Sequence, residues 1–232
     1  AINVNGGVLK STGADGAGIY HPQKGTLNIS GGSVEGAVGV QMCSGDLKVT
    51  GSPRITSFGK DNSGSKTGDG VIDDGSAISI VDRNYPGGKP TANIQSGVFK
   101  ATGNGSKALS VYAWRDNAAS AFDNANGSVV VSGGTFSDIA NAVKYAANGA
   151  TLKMGAKATS TLAIARGKDI TLDLNGNDIE VSQGDAIVNK GKLKVVGDGV
   201  IKAAKNGCAA VANFPGANAV LNGGTYKSDK WY

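Results

Sequence analysis

Four groups of side chains in this 232-residue sequence have types and spacings suited to chemistry. Asp69, Asp73, Asp74 and Asp82 with Arg83 offer hard oxygen ligands beside a base, the set a calcium-assisted polysaccharide lyase uses. Calcium needs 6 to 8 converging oxygens, and these carboxylates sit in or beside a polar stretch, so a solvated loop is the simpler expectation. Asp169, Asp173 and Asp178 form a second cluster, and glycoside hydrolysis needs paired carboxylates. Asp173 alternates with Leu172 and Leu174, however, which reads as the polar face of a strand. His21, the single histidine, is a candidate general base, but its place before Pro22 marks a bend. One histidine leaves no His-based zinc site and no Ser-His-Asp triad. Cys43 and Cys208 are far apart beside apolar strand residues and are expected to be two buried free thiols. The expectation is a chain with no catalytic residues, no metal and no cofactor.

Binding has more to work with. Tyr112, Trp114 and Arg115 lie together, Tyr85 falls in a long loop, and Trp231-Tyr232 stand last. Flat aromatic faces with a polar edge suit sugar rings, so Tyr85, Tyr112, Trp114 and Arg115 are the candidate carbohydrate-binding residues. The competing expectation is that Tyr112 and Trp114 pack over one end of the fold. Lys48, Lys153, Lys192, Lys194, Lys202 and Lys205 are read as outward-facing, make the second half basic and would attract an anionic glycan such as teichoic acid; they also suit solubility and edge protection. Few aromatics and no recognition motif argue against nucleic acid.

The elements that must hold these residues follow from a repeated phrase. Ile2-Asn3-Val4-Asn5-Gly6-Gly7-Val8-Leu9 returns as Leu27-Asn28-Ile29-Ser30-Gly31-Gly32-Ser33-Val34, as Val129-Val130-Val131-Ser132-Gly133-Gly134-Thr135-Phe136 and as Ala219-Val220-Leu221-Asn222-Gly223-Gly224-Thr225-Tyr226. Looser copies begin at Leu47, Ala92 and Leu193. Each is a short alternating strand, a Gly-rich turn and a second strand. Glycine, at 37 residues, is about twice as frequent as usual, without the every-third spacing of collagen. Such a unit cannot bury its own inward residues, whereas stacked copies pair every strand and fill the interior with Val, Ile and Leu. An antiparallel sandwich also has short, regularly spaced strands, but it would repeat hairpin turns rather than a whole phrase. The expected fold is all-β, a right-handed parallel β-helix with one short α-helix.

Two segments interrupt the phrase. The stretch near 57–88 is polar and aperiodic, and reads as a long loop leaving the coil. Ser137 to Gly149 carries Ile139, Ala142, Val143 and Ala146 at helical spacing, with Ser137 or Asp138 as cap. This divides the chain into residues 1–134, a β-helix with a loop insertion, and 135–232, a capping helix followed by further coils. No run of about 18 apolar residues is present to make a spanning helix, and no secretory signal is seen. The sequence opens at Ala1 within a strand-like pattern and is read as a fragment or processed form.

The run Ile19-Tyr20-His21-Pro22-Gln23-Lys24-Gly25-Thr26-Leu27-Asn28-Ile29-Ser30-Gly31-Gly32, with Gly39-Val40-Gln41-Met42 and Asp169-Ile170-Thr171-Leu172-Asp173-Leu174-Asn175-Gly176, resembles pectate-lyase-like right-handed β-helix proteins. More narrowly it is similar to the Gly-Gly-Thr-Phe-rich β-helix domains of Gram-positive surface proteins and of phage virion proteins. The resemblance covers nearly the whole chain outside the long loop, is specific for fold and weak for function. It implies a non-enzymatic structural and attachment module, on a virion surface or in the extracellular cell wall, as a phage capsid decoration or fibre component. A glycan-binding adhesin and a lyase or hydrolase on the same fold are the alternatives. Its partners would be other virion or surface proteins and cell-surface glycans, with self-association allowed and no nucleic acid or membrane insertion.

Overall fold

Alternation in a phrase such as Leu27-Asn28-Ile29 sends every second side chain to one side of a strand, and only stacking on like phrases can bury that side. The computed structural model describes residues 1–63, 65–68 and 70–229; Asp69, Trp231 and Tyr232 lie outside the described residues. The chain divides into two compact units, Ala1–Gly134 and Thr135–Tyr232. Each is a parallel β-helix built from three strands per coil.

In the first unit, coil one is β1 (Ile2–Val4), β2 (Val8–Lys10) and β3 (Ala17–His21). Coil two is β4 (Thr26–Ile29), β5 (Ser33–Gly36) and β6 (Val38–Met42). Coil three is β7 (Asp46–Val49), β8 (Arg54–Ser57) and β9 (Ile78–Asp82). Coil four is β10 (Thr91–Ile94), β11 (Val98–Ala101) and β12 (Leu109–Arg115), with β13 (Ala118–Ser120) folded back antiparallel on β12. A fifth coil opens with β14 (Val129–Phe136), within which the division between the units falls.

The register is strict. Ile2, Leu27, Leu47, Ala92 and Val129 are successive partners along one side, in steps of 25, 20, 45 and 37 residues. Coil three is long because 20 residues, 58–77, separate β8 from β9. Val34, Ile55 and Phe99 stack on the second side, and Val40, Ile78 and Leu109 on the third. From Leu27 and Val34 onward these residues are no more than 3% exposed, so the lumen is a continuous aliphatic column with Phe99 within it. The corners need glycine: at Gly32, with φ of 76°, an added Cβ would lie 2.6 Å from the Gly7 carbonyl oxygen of the coil before, which no other residue tolerates.

The second unit begins with α1 (Ala140–Lys144), then β15 (Ala146–Met154), β16 (Leu162–Ile164), β17 (Asp169–Asp173), β18 (Ile179–Val181), β19 (Ile187–Asn189) and β20 (Lys192–Val196). It continues with β21 (Val200–Ala203), β22 (Val211–Asn213), β23 (Asn218–Leu221) and β24 (Thr225–Ser228). Ala150, Ile170, Leu193 and Ala219 are successive partners, in steps of 20, 23 and 26 residues. The helix is shorter than its apolar spacing implies. Ala146 already belongs to β15, and Ile139 rather than Ser137 or Asp138 holds the N-cap position, without a side-chain cap bond. Asp138 Oδ1 accepts from the Ala140 N–H at 3.1 Å. Strand pairing outcompetes the last helical turn, and α1 buries Ala142 and Val143 against β15 and β16.

Candidate functional site: a clamped outer face

On the third side of the first unit the lumen takes Ile19, Val40, Ile78, Ile80 and Leu109, so the residues between them must face outward. These are Tyr20, Gln41, Ser79, Val81, Ser110, Tyr112 and Trp114, with Tyr20 beside Gln41, Gln41 beside Ser79, Ser79 beside Ser110 and Val81 beside Tyr112. Outward residues of a one-layer coil are normally wet. Here Gln41, Cys43, Ser79 and Val81 are fully buried, and Trp114 is 6% exposed. The segment between β8 and β9 covers them. Rather than leaving the coil as a polar loop, it lies back on this face and buries its own Val71, Ile72 and Asp74.

Three sets of bonds hold it there. Ile72 donates its N–H to Gln41 Oε1 at 2.8 Å and accepts from Gln41 Nε2 at 2.8 Å, so one side-chain amide imitates a strand partner. Trp114 Nε1 donates to the Ser63 carbonyl at 3.0 Å. Arg83 donates to the Gly70 carbonyl at 2.5 Å, with its guanidinium 4.8 Å from the Trp114 ring centre and 5.0 Å from that of Tyr85; cation–π attraction adds to that bond. The Tyr20 hydroxyl reaches the same carbonyl at 3.4 Å and lies 3.2 Å from the Tyr85 hydroxyl.

Asp74 anchors the root of the segment. Its carboxylate accepts from the Ser76 N–H at 2.9 Å, the Ser79 hydroxyl at 2.5 Å and the Tyr112 hydroxyl at 2.7 Å, while Ser76 donates to Ser110 at 2.7 Å. Burial raises the Asp74 pKa against the pull of those donors. It raises Tyr112 as well, reinforced by the Asp74 charge. The Cys43 thiol, beneath the same cover, is pushed up to about 12 by burial, with Arg83 opposing. A thiol so shifted is a poor nucleophile.

The candidate residues are thus placed as follows. Trp114 is buried and Tyr112 half-buried, and the two form a lateral cluster with Cys43, Ile72 and Val81, joined by Tyr20 and Tyr85. Arg115 pairs with Asp82 at 3.0 Å and also donates to the Asp82 carbonyl. Of the lyase-like set, Asp74 is buried rather than solvated, Asp82 is held by Arg115, Arg83 holds Gly70, and Asp69 lies outside the described residues. Among the described residues Asp73 Oδ1 is buried with no hydrogen-bond partner, and burial raises that carboxyl's pKa. Among the described residues no group of three or more His, Cys, Asp or Glu is placed to hold a metal ion, and no helix is long and apolar enough to cross a membrane.

The aspartates of the second unit are likewise committed singly. Asp169 faces Lys192 at 3.8 Å, Asp173 faces Lys153 at 3.7 Å and accepts from the Asn175 N–H, and Asp178 accepts from the Val200 N–H at 2.7 Å. His21 is not a bend residue but the buried end of β3, its Nδ1 3.2 Å from the Ser44 carbonyl. Both cysteines are free, and Cys208 is only half-buried. The clamp had one legible signal: Met42-Cys43, Ile80-Val81 and Ala113-Trp114 put apolar residues on both faces of three adjacent strands, and a strand apolar on both faces is covered on both. No protein-family model matches the sequence, and no curated protein or solved structure is detectably similar to it.

Proposed function

We propose that this chain is a non-enzymatic structural and attachment module displayed on an outer surface, of the pectate-lyase-like, Gly-Gly-Thr-Phe-rich kind, and that it serves as a capsid decoration or fibre component of a phage. The observation that carries the reading is the use to which the reactive side chains of the outer face are put. Arg83, Tyr112 and Trp114 bind the chain's own 58–77 segment, Tyr112 through Asp74, so these side chains are spent on internal contacts. Coils paired through their backbones around an aliphatic lumen resist local opening, and rows of like residues on successive coils suit many weak contacts made together. Mass spectrometry of purified phage particles should find the chain's peptides; their recovery only from bacterial wall fractions would overturn the virion assignment. Incubation with cell-wall polysaccharides should give binding without release of sugars, and calcium-dependent release of unsaturated sugars would overturn the non-enzymatic one.

A bacterial glycan-binding adhesin is the second reading, favoured by charge. The second unit has 12 Lys and Arg against 8 Asp and Glu, and the first has 11 against 10. Attraction to an anionic wall polymer would be screened by salt, so co-sedimentation with teichoic-acid-bearing walls, lost at high salt and absent from stripped walls, is its test.

A further inference from the structure

We propose that the second unit holds a binding site for the phosphate ester of a sugar or polyol, in a notch where its coils turn from one row of strands into the next. The register sets Ile164, Asn189 and Asn213 one above another, and likewise Asp169, Lys192 and Asn218. Each corner therefore spans a similar gap. Four residues bridge it between β16 and β17 and four between β22 and β23, but only two, Lys190 and Gly191, between β19 and β20. A two-residue link runs nearly straight at about 3.8 Å per step. The four-residue corners bow outward as turns, closed by the Lys168 N–H to the Ala165 carbonyl at 3.2 Å and the Ala217 N–H to the Phe214 carbonyl at 2.9 Å. Between them the short corner is recessed. Buried Asn189 fixes it, accepting from the Gly191 N–H at 3.1 Å and donating to the Asn218 carbonyl at 2.9 Å. The floor must be glycine, since a Cβ on Gly191 would lie 2.5 Å from the Ala165 carbonyl oxygen.

The notch encloses about 360 Å³, at the small end of ordinary ligand pockets, and Lys168, Lys190 and Lys192 line it. Among the described residues the one carboxylate within 4.0 Å of any of these ammonium groups is Asp169, 3.8 Å from Lys192. The other two lysines are held by uncharged groups. Lys168 Nζ donates to the Ala146 carbonyl at 2.5 Å, and burial lowers its pKa. Lys190 Nζ rests 4.9 Å from the centre of the Phe214 ring. Like charges gathered in a concave, partly dehydrated place repel one another, and an anion between them relieves that repulsion. Phosphate, with a charge of about −2 and three terminal oxygens, suits ammonium groups that approach from several sides. A bare ion would face Asp169 with nothing to offer it. A neighbouring hydroxyl gives that carboxylate a donor, and for this reason the ligand is an ester on a hydroxylated carrier. The site deepens the charge-based second reading above, and rests on it for the source of such esters, an anionic wall polymer.

The experiment is an NMR titration of the full chain with glycerol phosphate and, in parallel, with glycerol and with inorganic phosphate. Glycerol phosphate should move the Lys190, Gly191 and Gly216 amide signals saturably, and glycerol should not. Inorganic phosphate should bind at the same place about threefold more weakly, for want of the hydroxyl bonds, and Asp169→Ala should abolish that preference. Lys190→Gln with Lys192→Gln, at two exposed positions, should keep the unfolding temperature and weaken binding by about tenfold or more. Lys205→Gln with Lys227→Gln removes the same charge from the side of the unit that carries β21 and β24, and should change binding by less than about twofold in physiological salt. Equal weakening by the two lysine pairs would mean attraction to the unit's charge as a whole, overturning the site and leaving the adhesin reading intact. Inorganic phosphate bound as tightly as the ester would mean an adventitious ion only, and the lack of any saturable shift would mean no site; either overturns the proposal. Binding at the notch by a chain that teichoic-acid-bearing walls do not retain would uphold the site and remove the wall polymer as its source.

Discussion

Leu27, Leu47 and Ile94 in the lumen of the first unit and Cys43, Val81 and Trp114 beneath the 58–77 segment are all 6% exposed or less, yet they are buried by different means. The lumen is filled by rows of aliphatic residues stacked on their like, coil upon coil, with every inward position doing the same job. The clamp is a set of unlike groups, each with partners of its own: an amide for a backbone, an indole for one carbonyl, a guanidinium for another, a carboxylate for three donors. Loss of one lumen residue should therefore weaken the whole unit, whereas loss of one clamp residue should release the segment and leave the coils standing.

The largest effect is expected in the lumen. Leu47→Ala and Ile94→Ala should each lower global stability by about 3–4 kcal/mol, the usual cost of a cavity in a packed core, read from urea midpoints with an unchanged slope. Next comes Trp114→Ala. It should leave the far-UV spectrum of the coils intact but open the cover over Cys43, raising the rate of thiol labelling there by about a hundredfold, equivalent to about 2.7 kcal/mol of local stability. Cys208, which is half-buried, should label at the same rate in both proteins. If Trp114→Ala instead unfolds the coils, the distinction between lumen and clamp fails.

Smaller again is the effect of Asp74. Asp74→Ala strips an acceptor from Ser79, Tyr112 and the Ser76 N–H and should cost about 2–3 kcal/mol. Because burial raises this carboxyl's pKa, the fold binds its proton more tightly than the unfolded chain does. Its contribution is therefore fullest below the unfolded value of about 3.9 and declines as the pH rises through the folded value. Denaturation of the wild type and of Asp74→Asn side by side should show the wild type gaining on the variant as the pH is lowered from neutrality; the opposite trend would mean the carboxyl is held ionised. The smallest effect belongs to the second unit's outer ladder. Lys153→Ala removes a pair with Asp173 whose lysine is 51% exposed, and should change stability by less than about 0.5 kcal/mol.

The same contrast explains what was legible in the sequence. The lumen is written in alternation and repetition: Leu27-Asn28-Ile29 and Leu47-Lys48-Val49 announce their inward faces, and the steps of 20 to 26 between uninterrupted coils are the repeat itself. The clamp has no period. Val71 and Ile72 are two apolar residues in a polar stretch, and what makes them core is a partner, Gln41, 31 residues away on a strand already assigned to the lumen. Trp114 and Tyr112 look like a sugar platform because strand alternation puts them outside, and nothing local reports that another segment lies over them. Asp74 reads as a solvated carboxylate for the same reason: the sequence holds its three donors at positions 76, 79 and 112, and only the fold brings the third to the others.

Native-state hydrogen exchange at the Ile72 amide tests the account most directly. That N–H is bonded to Gln41 and buried, so it should exchange orders of magnitude more slowly than an unstructured amide, and should lose that protection in Trp114→Ala while the Leu47 and Ile94 amides keep theirs. Exchange of Ile72 at the rate of a free chain in the unmodified protein would mean that the segment is not held on the outer face, and the clamp described here would not exist.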